Sequence, residues 1–174
     1  LPGGGFGIHY QAGREDRVLP VPPVFMEGAD WQAGRVKHCA VAIWQGVYGN
    51  PDGQAAGVDY LRNMARRQEE AGASYLDINV DEFSTDITER IRLMQWTVRT
   101  VQETVRLPVS IDSSNLDILQ AGLEACFARL APGGLAAVSE LAWLLPDPPA
   151  ECAEFFAAEY PAMLAVVQGS DGHA

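Results

Sequence analysis

Two short runs of polar residues could act together: Asp77, Asn79 and Asp81 in one, and Asp112, Ser113, Ser114 and Asn115 in the other. A carboxylate presents two acceptor oxygens side by side, which suits a planar ring whose edge carries adjacent N–H donors. Asp112 is placed for such an edge. Asn115 and Asn79, each with donors and acceptors, could bond the remaining polar atoms of a ring and fix its orientation. A site of this kind needs no metal and no nucleophilic side chain. Two local readings compete with it. An Asp-Ser-Ser-Asn run between a strand and a helix is also what simple N-capping produces, and Asp77 with Asn79 could form a purely structural network on a strand face.

The elements that must position these residues alternate. Tyr75–Val80 has period two, with Leu76, Ile78 and Val80 on one side and Asp77 and Asn79 on the other. Pro108–Ser113 gives a second short strand with Val109 and Ile111 opposite Ser110 and Asp112. Between them Ile87, Ile91, Met94, Val98, Val101 and Val105 recur at helical spacing, with Ser84 or Asp86 as N-cap. Upstream, residues 49–57 are turn-like, and Val58, Leu61, Met64, Ala65 and Ala71 mark a helix stopped by Gly72. Downstream, Ser114 or Asn115 caps a helix whose expected apolar stripe is Leu119, Leu123, Cys126 and Leu130. In parallel α/β folds ligands bind beyond the carboxyl ends of the strands, and both polar runs fall there. Ser139 and Glu140 would make a weaker third cluster after a strand at 135–139; a helix at 150–159 and a strand at 163–168 complete the pattern. Residues 1–23, rich in glycine and proline, read as an irregular segment leading to a strand at Val24–Glu27, and 24–174 as one domain.

Composition narrows the partners. The 12 Lys and Arg against 23 Asp and Glu give a formal net charge of −11, a field that repels nucleic acid. Cys39, Cys126 and Cys152 have no paired spacing of a zinc site or disulfide framework, which fits a reducing cytoplasm. There is no apolar run long enough to span a membrane and no signal-peptide pattern, and the start at Leu1 reads as a processed or trimmed terminus. His9, His38 and His173 lie far apart and read as surface or packing residues, so no metal site is expected. Trp96, off the main helical stripe, reads as packing against a neighbour; Arg66, Arg67, Glu69 and Glu70 read as a solvated face with local ion pairs. Strands alternating with helices allow either an open sheet or a barrel, and no glycine-rich phosphate loop marks a nucleotide-binding version.

Several motifs in register then resemble one family. Ala65-Arg66-Arg67-Gln68-Glu69-Glu70-Ala71-Gly72-Ala73 followed by Leu76-Asp77-Ile78-Asn79-Val80, Met94-Gln95-Trp96, Leu107-Pro108, Ile111-Asp112-Ser113-Ser114-Asn115 and Glu124-Ala125-Cys126 are similar to the pterin-binding domain of methyltetrahydrofolate:corrinoid methyltransferases. The resemblance covers about residues 60–126. It implies the N-terminal portion, about five strands, of a (β/α)8 TIM barrel with methyltetrahydrofolate at its C-terminal face. The N5 methyl would pass to the cobalt of a corrinoid (cobalamin) carried by a partner protein. Carried over by position, Asp112 would hold the pterin edge, Asn115 and Ser113 would flank it, and Asp77 and Asn79 would line the pocket floor. A partial barrel further implies a homodimer or a complementing subunit.

Ala136 stands where the family has an asparagine, and the first-strand pattern is poorly kept by Met26-Glu27-Gly28-Ala29-Asp30. A catalytically inactive pterin-binding or assembly subunit is therefore the alternative. Dihydropteroate synthase, which shares the barrel, is a second alternative, although Asp77-Ile78-Asn79-Val80-Asp81 lacks that family's glycine pair.

Overall fold

A computed structural model describes residues 5–128. It opens on an antiparallel hairpin, β1 (Gly7–Ala12) and β2 (Glu15–Pro20), where an irregular segment was expected. Gly13 and Arg14 form the two-residue loop; Gly13 has φ +64° and, among the described residues, no residue other than glycine has positive φ, the pattern of a type II′ hairpin turn. The hairpin is docked on a later helix through Tyr10, whose hydroxyl donates to Asp59, and Arg17, whose guanidinium pairs with the same carboxylate.

The expected strand at Val24–Glu27 is instead a short helix, α1 (Pro23–Met26). Pro22 is extended and Pro23 occupies the first turn, where its fixed φ favours a helix and its missing N–H costs nothing. After α2 (Ala29–Gln32) comes α3 (His38–Tyr48), which the sequence reading did not separate from its surroundings. Helix α4 (Pro51–Glu70) begins well before Val58: Asn50 accepts from the Gly53 amide and Pro51 sits at the first position. Its glycines serve packing. A Cβ on Gly57 would collide with the Ala42 carbonyl and the Gly46 amide, so the bare backbone lets α4 approach α3 closely. At the other end Gly72, at φ +85°, donates to Glu69 and the Ala73 amide donates to Gln68, a Schellman termination.

The remainder is a strand–helix–strand–helix unit: β3 (Leu76–Asn79), α5 (Ile87–Gln102), β4 (Val109–Asp112) and α6 (Leu116–Phe127). β3 and β4 pair in parallel, with Leu76 opposite Val109, Ile78 opposite Ile111 and Asn79 opposite Asp112. Among the described residues the two sheets have two strands each, and no closed barrel is present. Leu76 and Ile78 bury against the helices with Leu93, Met94, Val98, Val101 and Ile118, while Asp77 and Asn79 face away and are exposed. Ile118 and Met94 are fully buried, and each side chain of this kind contributes about 1.5–3 kcal/mol of burial.

The buried stripe of α6 is Ile118, Ala121, Gly122 and Ala125, not the expected one through Leu119 and Leu123, which are only partly buried; Leu130 lies outside the described residues. The reason is distance. A Cβ on Gly122 would stand 2.6 Å from Ile111 Cγ2, so only small residues fit where α6 crosses β4. Trp96 packs on α3, filling the space left by the absent side chain of Gly46. Arg66, Arg67, Glu69 and Glu70 are exposed, and Glu69 accepts from the Arg106 amide instead of pairing along its own helix. The strands and helix expected within 135–168, with Ser139, Glu140 and Ala136, lie outside the described residues.

Candidate functional site

The carboxyl ends of β3 and β4 come together because the strands are paired in register, and their outward-facing polar residues form one continuous group. Asn79 Nδ2 donates to Asp112 Oδ2 at 2.8 Å, while Asn79 Oδ1 accepts from the Asp81 amide at 2.8 Å. One carboxamide thus bridges the two strands and closes an Asx turn on its own strand. Asp112 is exposed, and its second oxygen makes no hydrogen bond among the described residues. That oxygen and the free lone pairs of its partner oxygen are available to further N–H donors.

Asp81 joins the loop after β3 to the loop after β4. Its carboxylate accepts from Ser113 Oγ, from the Ser114 amide at 2.6 Å and from Ser114 Oγ at 2.8 Å. Arg90, on the first turns of α5, lies 3.7 Å away, and both side chains are largely buried. Burial alone would raise the Asp81 carboxyl, but the hydrogen bonds from Ser113 and Ser114 and the charge of Arg90 outweigh it and hold the group below the ordinary aspartate range. In the sequence Asp81 stands at a strand end with no partner nearby. Its hub position depends on the fold of two loops 32 and 33 residues apart, which no local spacing reveals.

Asn115 serves as the N-cap of α6: its Oδ1 accepts from the Asp117 amide at 3.0 Å and the Ile118 amide at 3.3 Å. Its side-chain nitrogen, Nδ2, has no partner among the described residues. The capping reading therefore holds for the Asn115 oxygen, and Nδ2 is left to donate to another group. Ser113 is committed to Asp81 and also accepts from the Asn115 amide at 3.2 Å. The Asp77 side chain is exposed with no hydrogen bond to a described residue, and with Asn79 it borders a cleft of about 110 Å³ walled in part by Cys39, Met64 and Gln68. Asp112, Asn79, Ser113 and Asn115 are thus one connected group, and Asp77 lies two residues down β3 from it.

Residues 51–131 match the family model for pterin binding enzymes. The match runs from the start of α4 past the end of α6, so it contains both strands and every residue of the polar group. It supports a pterin or folate-like ligand and a TIM-barrel-like α/β fold, and the β3–α5–β4–α6 unit has the alternation of parallel strands and helices found in such a fold. No solved structure matches the chain.

Other residues of chemical interest stand apart. His38 contacts the Tyr60 hydroxyl at 3.0 Å and Cys39 Sγ at 3.4 Å, a packing role; His9 is exposed on β1. His173 lies outside the described residues, as does Cys152. Among the described residues no cluster of His, Cys, Asp and Glu could hold a metal ion, and no helix is long and apolar enough to cross a membrane.

Proposed function

We propose that the chain binds the pterin ring of a reduced folate at the carboxyl ends of β3 and β4, with Asp112 accepting from the ring's N–H edge. The observation that supports this most is the Asn79–Asp112 hydrogen bond inside the stretch that matches pterin binding enzymes. It fixes the carboxylate while leaving acceptor capacity outward. Asn115 Nδ2 would donate to a ring acceptor, Asp77 and Asn79 would form the pocket floor, and Ser113 would hold the loop.

In the fuller reading the ligand is methyltetrahydrofolate, and its N5 methyl passes to the cobalt of a corrinoid carried by a partner protein. When N5 loses the methyl group it must gain a proton, so protonation or hydrogen bonding at N5 helps the departure. The chain's part is to orient the ring. The second reading is a pterin-binding or assembly subunit without transfer activity. It is favoured by Ala136, which stands at the place of a family asparagine.

The two readings separate in one assay. Mixing the chain and methyltetrahydrofolate with a cob(I)alamin-bearing partner and following the corrinoid spectrum should show methylation at a rate that falls with Asp112→Asn. Folate binding without methylation would select the inactive subunit. Condensation of p-aminobenzoate with a pterin would instead support the dihydropteroate synthase alternative.

A further inference from the structure

We propose that Asp81 is a positioning residue for the folate site: its carboxylate ties the Ser113-Ser114 loop to the end of β3 and thereby sets the spacing between Asp112 and Asn115. This rests on the folate reading given above. The two residues that Asp81 holds are the two that separate Asp112 from Asn115 in the chain, and it holds them by both hydroxyls and one backbone amide. The ties form a closed ring. Asn79 binds Asp112 with its nitrogen and the Asp81 backbone with its oxygen, and the Asp81 side chain returns to the residues next to Asp112.

A second observation ties the ring to α5. Arg90 projects from α5 and brings Nη1 to 3.7 Å from the Asp81 carboxylate, an ion pair between two largely buried side chains. Charged hydrogen-bond acceptors of this kind are stronger than neutral ones. Replacing the carboxylate by a carboxamide leaves one acceptor oxygen for three donors and removes the charge facing Arg90. The loop would then relax, and the Asp112–Asn115 separation would no longer be fixed before the ligand arrives.

The test titrates methyltetrahydrofolate into the full chain and its Asp81→Asn, Ser113→Ala and Asp112→Asn variants, with melting temperatures and the amide proton signal of Ser114 recorded alongside. Expected are an affinity about tenfold weaker in Asp81→Asn, the equivalent of one charge-assisted hydrogen bond, an upfield move of the Ser114 amide, and a lower melting temperature at neutral pH that still leaves the variant fully folded at the temperature of the titration. Ser113→Ala, which leaves Asp81 in place, should weaken binding less and keeps the question answerable if Asp81→Asn does not fold. If Asp112→Asn loses binding while Asp81→Asn and Ser113→Ala bind as the unmodified chain does, the positioning role is overturned and the folate site stands. If Asp81→Asn loses affinity only in proportion to a large fall in melting temperature, the role is merely structural and the proposal fails. No binding by the unmodified chain removes the folate reading and this inference with it.

Discussion

Asn79 and Asp112 sit directly opposite one another in the parallel pairing of β3 and β4, and the carboxamide of the first donates to the carboxylate of the second at 2.8 Å. Removing that donor should leave Asp112 free to swing into solvent. Asn79→Ala is expected to weaken folate binding about tenfold by titration calorimetry. Asn79→Asp should weaken it further, because two facing carboxylates disfavour ionisation of both. Equal affinities for both variants and the unmodified chain would remove this bond from the site.

The acid side of the stability profile should report Asp81 and Asp59. In both, burial acts to raise the carboxyl and is outweighed, by Ser113, Ser114 and Arg90 in the first and by Tyr10 and Arg17 in the second, so both lie below the ordinary value. A carboxyl lowered by folding stabilises the fold above its unfolded value of about 3.9, and that contribution is lost as pH falls through the lower folded value. Melting temperatures measured between neutral pH and about pH 3 should therefore fall less steeply for Asp81→Asn than for the unmodified chain.

Gly57 lets α4 lie against the backbone of α3. Gly57→Ala should destabilise by about 1–3 kcal/mol, the cost of overpacking a tight contact, despite the better helix propensity of alanine. Urea denaturation measures it, and a stabilised variant would mean that the two helices pack less closely than described.

The thiols should be slow. Burial pushes Cys126 up to about 11 and also raises Cys39, so little thiolate is present at pH 8. Iodoacetamide labelling of the native chain, read by peptide mapping, should modify both far more slowly than after denaturation.

What could be read from the sequence followed periodicity and position. β3, α5 and β4 announce themselves by alternation and by a clean helical stripe, and the polar residues that follow each strand end are the ones the fold gathers. α3 was missed because Cys39-Ala40-Val41-Ala42-Ile43-Trp44 is apolar on all sides and Lys37 gives no side-chain cap. The hairpin was hidden among glycines and prolines, although Gly13-Arg14 between Tyr10 and Val18 carried its turn signal. In α6 the leucines looked like the core face, whereas the closeness of β4 reserves that face for Ala121, Gly122 and Ala125. Asp81 could be placed at a strand end, but its partners Ser113 and Ser114 come to it only through the pairing of β3 with β4.

The most direct measurement is calorimetric titration of the purified chain with methyltetrahydrofolate, with Asp112→Asn as control, because it tests the site without requiring turnover. Saturable one-site binding by the unmodified chain, lost or weakened at least tenfold in the variant, is the predicted result. Binding unaffected by Asp112→Asn, or no binding at all, would contradict a pterin site at the ends of β3 and β4.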